Sequence, residues 1–122
     1  MWGLRFLFIL SCLRLGNVEY LEPEVFFQRL HSETSVLLLD VRPFSMYAEG
    51  HIERAVWAGE AVVLEGLLDN YDKRKTVFIY CGQGDRTRAV RKILRKRGYK
   101  TVFELKDGYK NWVEQGLPVF HP

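Results

Sequence analysis

Along this chain, short continuous apolar runs alternate with stretches whose apolar residues recur every three or four positions. Val36-Leu37-Leu38-Leu39 and Val77-Phe78-Ile79-Tyr80 are the clearest runs. Each has the length of a strand and no polar interruption, as a parallel strand buried on both faces requires. Weaker strands are predicted at Val18 to Tyr20, Ala55 to Trp57 and Thr101 to Leu105. Between them lie helical patterns. Glu22 and Pro23 open a helix through Leu30, with proline at a tolerated first-turn position. Val62, Val63, Leu64, Leu67 and Leu68 share one helical face and are expected to be core. Ala89, Val90, Ile93 and Leu94 repeat that spacing from Thr87 to Arg97, with Gly98 as the C-terminal cap. Pro43 to Glu49 is a short helical turn closed by Gly50, and Tyr109 to Glu114 a last helix carrying Trp112. The alternation predicts an α/β fold: a parallel five-stranded sheet with helices on both faces.

Composition narrows this picture little. A chain of 122 residues, 48% hydrophobic, suffices for one domain with one core. Its formal charge is +3, but Arg5 and Arg14 belong to an atypical first segment, and without them 16 basic residues face 15 acidic ones. A nucleic-acid-binding protein is therefore not indicated. Two cysteines, Cys12 and Cys81, match neither a disulfide scaffold nor a metal site, and His31, His51 and His121 stand singly. No metal and no cofactor are expected.

Residues 1–16 contain no acidic residue, an early Arg5 and an apolar stretch from Phe6 to Leu13. That stretch is too short to span a membrane but suits the core of a signal peptide. Ile-Leu-Ser-Cys, ending at Cys12, resembles a lipoprotein processing box, imperfectly because of Leu10. The expectation is an exported or periplasmic protein, lipid-anchored if Cys12 is processed. The alternatives are a misassigned start, an organelle presequence, or a segment packed on a cytoplasmic domain.

Chemistry concentrates at Val77 to Thr87. The strand delivers Cys81 into a turn with Gly82 and Gly84, and Thr87 opens a helix. A cysteine there faces backbone N–H groups without intrahelical partners and the positive end of the helix dipole, which favours a thiolate. Gly82 and Gly84 fit a loop whose inward amides need positive φ and close backbone approach. The competing reading is a buried structural cysteine before an ordinary Gly-rich turn. Seven of the twelve residues from Arg86 to Arg97 are basic. They set up a field that attracts anions and also solvate the outer face, with Arg86 and Arg88 nearest the loop.

Cys-Gly-Gln-Gly-Asp-Arg-Thr, residues 81–87, resembles the active-site loop of the rhodanese family: Cys, four loop residues, often Arg, then Ser or Thr. Leu37 to Ala55 is similar to that family's Asp-Val-Arg segment with its Gly-His-Ile, and Leu105 to Val119 to its C-terminal signature. The resemblance covers Val18 to Val119 and implies a rhodanese-like domain over residues 17–122. It further implies thiosulfate sulfurtransferase activity with Cys81 as the catalytic nucleophile and Gly82, Gln83, Gly84, Asp85, Arg86 and Thr87 as the substrate cradle. Asp40 and Arg42 would support the loop; their alternative is a surface ion pair worth about 0–1 kcal/mol. His51 would be structural, and Glu53-Arg54 replaces the Pro-Gly that many members carry before Ala55.

On this reading Cys81 attacks the outer sulfur of an anionic donor such as thiosulfate, releasing sulfite and leaving a persulfide, which cyanide or a thiol then discharges. Loop amides stabilise the charges, Gly84 shapes the cradle, Arg86 neutralises the donor's sulfonate, and Thr87 caps the helix. A sulfur-carrier protein is a further candidate partner. The alternatives are a persulfide relay or non-catalytic binding domain, which Gly82 keeps open because several members have a basic or bulky residue there, and a phosphatase. Cell-cycle phosphatases share the fold, but place five residues between Cys and Arg where this chain has four, and histidine where it has Tyr80.

Overall fold

The computed structural model describes residues 18–122; the 1–16 leader, Cys12 and the domain start at Asn17 lie outside them. Five strands form one parallel sheet: β1 (Val18–Leu21), β2 (Leu37–Asp40), β3 (Val56–Trp57), β4 (Val77–Tyr80) and β5 (Val102–Leu105), in the order β1-β5-β4-β2-β3. Five helices connect them: α1 (Pro23–Ser32), α2 (Phe44–Glu49), α3 (Ala61–Asp69), α4 (Thr87–Lys96) and α5 (Gly108–Glu114).

Strand alternation divides the core in two. Leu37, Leu39, Val77, Ile79 and Val102 point to one face, where α3 and α4 cover them with Leu64, Leu68, Val90 and Leu94. Leu38, Phe78, Phe103 and Leu105 point to the other, under Phe26 and Leu30 of α1 and Trp112 of α5. The α/β sheet with helices on both faces is thus as the apolar pattern predicts. The α3 stripe is narrower than expected: Leu64 and Leu68 are buried, but Val62 is 77% exposed, because it sits a half-turn from Leu64 on the solvent side. Among the described residues no helix is long and apolar enough to cross a membrane.

Where Pro-Gly was replaced, Arg54 adopts φ 76. A side chain there costs about 1 kcal/mol that glycine avoids. The compensation is one long hydrogen bond, Arg54 Nη1 to Leu30 O at 3.4 Å. Arg54→Gly is expected to stabilise the domain by about 0.5 kcal/mol, read as a higher urea midpoint at unchanged slope.

Candidate active site

The chain leaves β2 through α2 toward β3 at one edge of the sheet, and leaves β4 through α4 toward β5 on the other side. Between the C-terminal ends of β2 and β4 the connections diverge, and open parallel sheets offer a crevice at such a point. Asp40 ends β2 and Cys81 follows β4, with Asp40 and Tyr80 side by side in register. The sequence candidates Asp40 and Cys81, 41 positions apart, come to the same sheet edge because two central strands end together.

Cys81 is fully buried, in the same apolar cluster as Val41, Ala58 and Val90. Its sulfur nevertheless accepts the Gly84 N–H at 2.8 Å, and stands 3.8 Å from Asp85 Oδ1, to which the thiol donates. Gln83, Gly84, Asp85 and Arg86 are exposed. Arg86 is the N-cap of α4 and offers no side-chain cap. The orphan amides of the first turn therefore face the loop without a side-chain acceptor.

What shapes the loop comes from α5. Tyr109 N–H donates to Cys81 O at 2.7 Å and Lys110 N–H to Gly82 O at 3.0 Å. In a trans peptide the N–H points opposite to its C=O, and no peptide bond here is cis. Anchoring those two carbonyls on α5 thus turns the Gly82 and Gln83 N–H groups away from α5. The backbones meet so closely that a Cβ on Gly108 (φ 68) would fall 2.5 Å from Cys81 O. Gly108, unassigned by motif reasoning, is a condition of the loop. Its sequence traces are the Asp107-Gly108 pair, a turn signal, and its place within Leu105 to Val119, the stretch similar to the C-terminal signature, neither of which assigns it a role at the loop.

The expectation for the two loop glycines needs correcting. Gly84 has φ 89, but Gly82 has no positive φ, and a Cβ built on it meets nothing within 4 Å. Thr87 is corrected too. It does not cap α4: it is buried, its hydroxyl donating to Glu104 Oε2 at 2.6 Å. Arg91 Nη1 reaches both Thr87 Oγ1 and Glu104 Oε1 at 2.7 Å. Glu104, a carboxylate inside β5, thereby ties the start of α4 to the sheet. A lone Glu in an apolar strand was the signal, and only the tertiary pairing explains it. Asp85 presents an acceptor to the sulfur, so among the loop side chains it suits a proton, and Arg86 suits an anion.

Asp40 and Arg42 are no surface pair. Both are buried, Arg42 binding Asp40 through Nε and through Nη2 at 2.6 Å, and Nη2 also donating to Gly50 O. Tyr80 donates its hydroxyl to Asp40 Oδ2 at 2.6 Å while receiving the Ile52 N–H. The Arg42 guanidinium lies 3.8 Å from the centre of the Tyr109 ring, which links the network to the residue holding Cys81 O. Burial alone would lower the pKa of Arg42, but the hydrogen bond and charge of Asp40 reverse this and leave it raised. Burial, then the Asp40 charge and hydrogen bond, push the Tyr80 phenol far up, so it remains a donor. His51 is held structurally: it stacks on Tyr47 at 3.9 Å, and its Nδ1 donates to Tyr47 O at 2.8 Å.

Helix α4 carries no acidic residue. Arg91 pairs with Glu104, and Arg97 just beyond the helix pairs with Asp69. Arg88, Lys92, Arg95 and Lys96 are exposed and form no ion pair among the described residues. Like charges four apart cost about 0.2–0.5 kcal/mol per pair, and a cation in the first turn opposes the helix dipole. Arg95 and Lys96 lie in the last turn, where the dipole favours cations, and the row as a whole raises the positive potential at the loop.

A sequence model of the Rhodanese-like domain family matches residues 22–115. A sulfurtransferase of Allochromatium vinosum is 30% identical over 105 residues, 86% of this chain and 97% of its own. Thiosulfate sulfurtransferase GlpE of Coxiella burnetii is 31% identical over 83 residues, 68% of this chain and 77% of its own. Among solved structures, the Alr3790 protein from Anabaena sp. superposes with a TM-score of 0.74 at 27% identity, covering 84% of this chain and 82% of that one.

Proposed function

The chain belongs to the rhodanese-like domain family, and from that premise we propose that it moves a sulfane sulfur from an anionic donor such as thiosulfate to a thiophilic acceptor through a persulfide on Cys81. The observation that carries this reading is the Gly84 N–H on the Cys81 sulfur, beneath the uncapped start of α4. An amide aimed at a sulfur stabilises negative charge on it, whether thiolate or persulfide. The relatives named as sulfurtransferases support the same chemistry.

In the proposed sequence the nucleophile is the thiolate of Cys81, its proton given up to water and its charge held by the Gly84 N–H. The thiolate displaces sulfite from thiosulfate: the new Sγ–S bond forms as the S–S bond of the donor breaks, and sulfite leaves with the electron pair. Arg86, exposed at the helix start, meets the sulfonate. The persulfide then gives its outer sulfur to cyanide or a thiol, restoring the Cys81 thiolate.

Incubation with thiosulfate is expected to add one sulfur atom to the Cys81 peptide, measured by mass spectrometry and removed by cyanide. Cys81→Ser should show no such gain. A wild-type protein that stays unmodified under these conditions would sink the proposal, and hydrolysis of an aryl phosphate in its place would favour the phosphatase reading.

A further inference from the structure

Between α3 and α4, directly beside the loop, lies a cleft of about 310 Å3 lined by Ala61 and Leu64 on one side and Ala89 and Ile93 on the other. Its floor includes Val41, Ala58 and Val90, members of the apolar cluster that encloses Cys81. Glu60 and Arg86 line it as well. Arg88, Lys92, Arg95 and Lys96 run along the outer side of α4 at spacings of three and four residues, adjoining Ala89 and Ile93.

We propose that this apolar cleft with its basic flank is the docking surface for an acidic, thiol-bearing protein that takes the sulfur from Cys81. The inference rests on the sulfur-transfer reading and specifies its acceptor. Three observations combine. The basic residues are exposed and unpaired among the described residues, so their field is not spent within the domain. The cleft is apolar, which serves a protein side chain and gives nothing to the backbone of a polyanion such as RNA. Cys81 is shut off from solvent, and the cleft floor packs in the cluster around it. A partner seated there displaces the wall that separates its thiol from the persulfide. Electrostatic complementarity of this kind acts mainly on the rate of encounter.

The test uses two peptides of equal length, each with one cysteine, one glutamate-rich and one lysine-rich. The wild-type protein is loaded with thiosulfate, and transfer to each peptide is followed by mass spectrometry. At low salt the acidic peptide is expected to accept sulfur at least about tenfold faster, the advantage collapsing near 0.5 M salt, where the screening length falls to about 4 Å. In Lys92→Glu/Arg95→Glu/Lys96→Glu the preference should reverse, while the amount of sulfur loaded on Cys81 at saturating thiosulfate, where attraction of the anion no longer limits, stays unchanged. Equal rates with both peptides, or a preference that survives the charge reversal, overturn the proposal. So does a single-stranded RNA oligonucleotide or an anionic vesicle that binds more tightly than the acidic peptide at matched charge concentration. If thiosulfate loads no sulfur, the sulfur-transfer reading fails by itself. Fluorescence anisotropy of the labelled acidic peptide against wild type and the charge-reversed variant still decides the docking surface.

Discussion

Gly108→Ala is expected to lower the stability of the domain by about 2–5 kcal/mol and to slow sulfur loading on Cys81 at least tenfold. Two costs add. An alanine held at φ 68 is strained by about 1–2 kcal/mol. Its Cβ would also lie 2.5 Å from Cys81 O, 2.6 Å from Gly82 O and 2.7 Å from the Gly82 carbonyl carbon. These are backbone atoms, which cannot swing aside, and overpacking of this kind costs about 1–3 kcal/mol. Relief requires α5 to withdraw, and withdrawal breaks the Tyr109 and Lys110 hydrogen bonds to Cys81 O and Gly82 O. Those carbonyls then rotate, and the neighbouring N–H groups rotate with them. Gly82→Ala is the control. It has open space around its Cβ and no positive φ, so it should change stability by less than about 0.5 kcal/mol. Urea denaturation and the rate of sulfur uptake from thiosulfate measure both. Equal effects from the two substitutions would mean that the close approach of α5 does not shape the loop.

How much of this was legible beforehand follows from the range of the interactions. The apolar run Val77 to Tyr80 announced a buried strand because burial on both faces leaves no position for a polar side chain, and β4 occupies those four residues. The helix after Cys81 was equally readable from Val90 and Leu94, both buried. These are properties of neighbours in sequence. Gly108 is different, since its constraint comes from the backbone of residues 81 and 82, and no local pattern records that α5 abuts the loop. Thr87 was misread for a related reason. A threonine at a helix start is an ordinary cap, and only the register that sets Glu104 beneath it diverts the hydroxyl. Val62 failed because a five-residue apolar stripe is wider than the face that α3 can bury. Asp40 and Arg42 lay between these extremes: their position at a strand end was readable, but burial depended on Tyr80, Tyr109 and Gly50 closing over them.

Arg42→Leu is expected to cost about 3–5 kcal/mol, because it leaves the Asp40 carboxylate buried without its cation. The leucine fills part of the volume but supplies none of the donors that now reach Asp40 and Gly50 O. Asp40→Asn should be damaging in the opposite sense, stranding the guanidinium. The double variant should lose less than the sum of the two, with a coupling of about 2 kcal/mol or more, as residues in one hydrogen-bonded network do. Arg42→Lys should fall between, since an ammonium keeps the charge but not the fork that binds Asp40 through two nitrogens. Denaturation of the four proteins at equal ionic strength gives the cycle. A functional consequence follows through Tyr109, whose ring lies against Arg42 and whose N–H holds Cys81 O. Sulfur loading should slow in Arg42→Leu even at temperatures where the variant is fully folded. If stability falls by less than about 1 kcal/mol and loading is unchanged, the buried pair does not support the loop, and the approach of Gly108 must hold it alone.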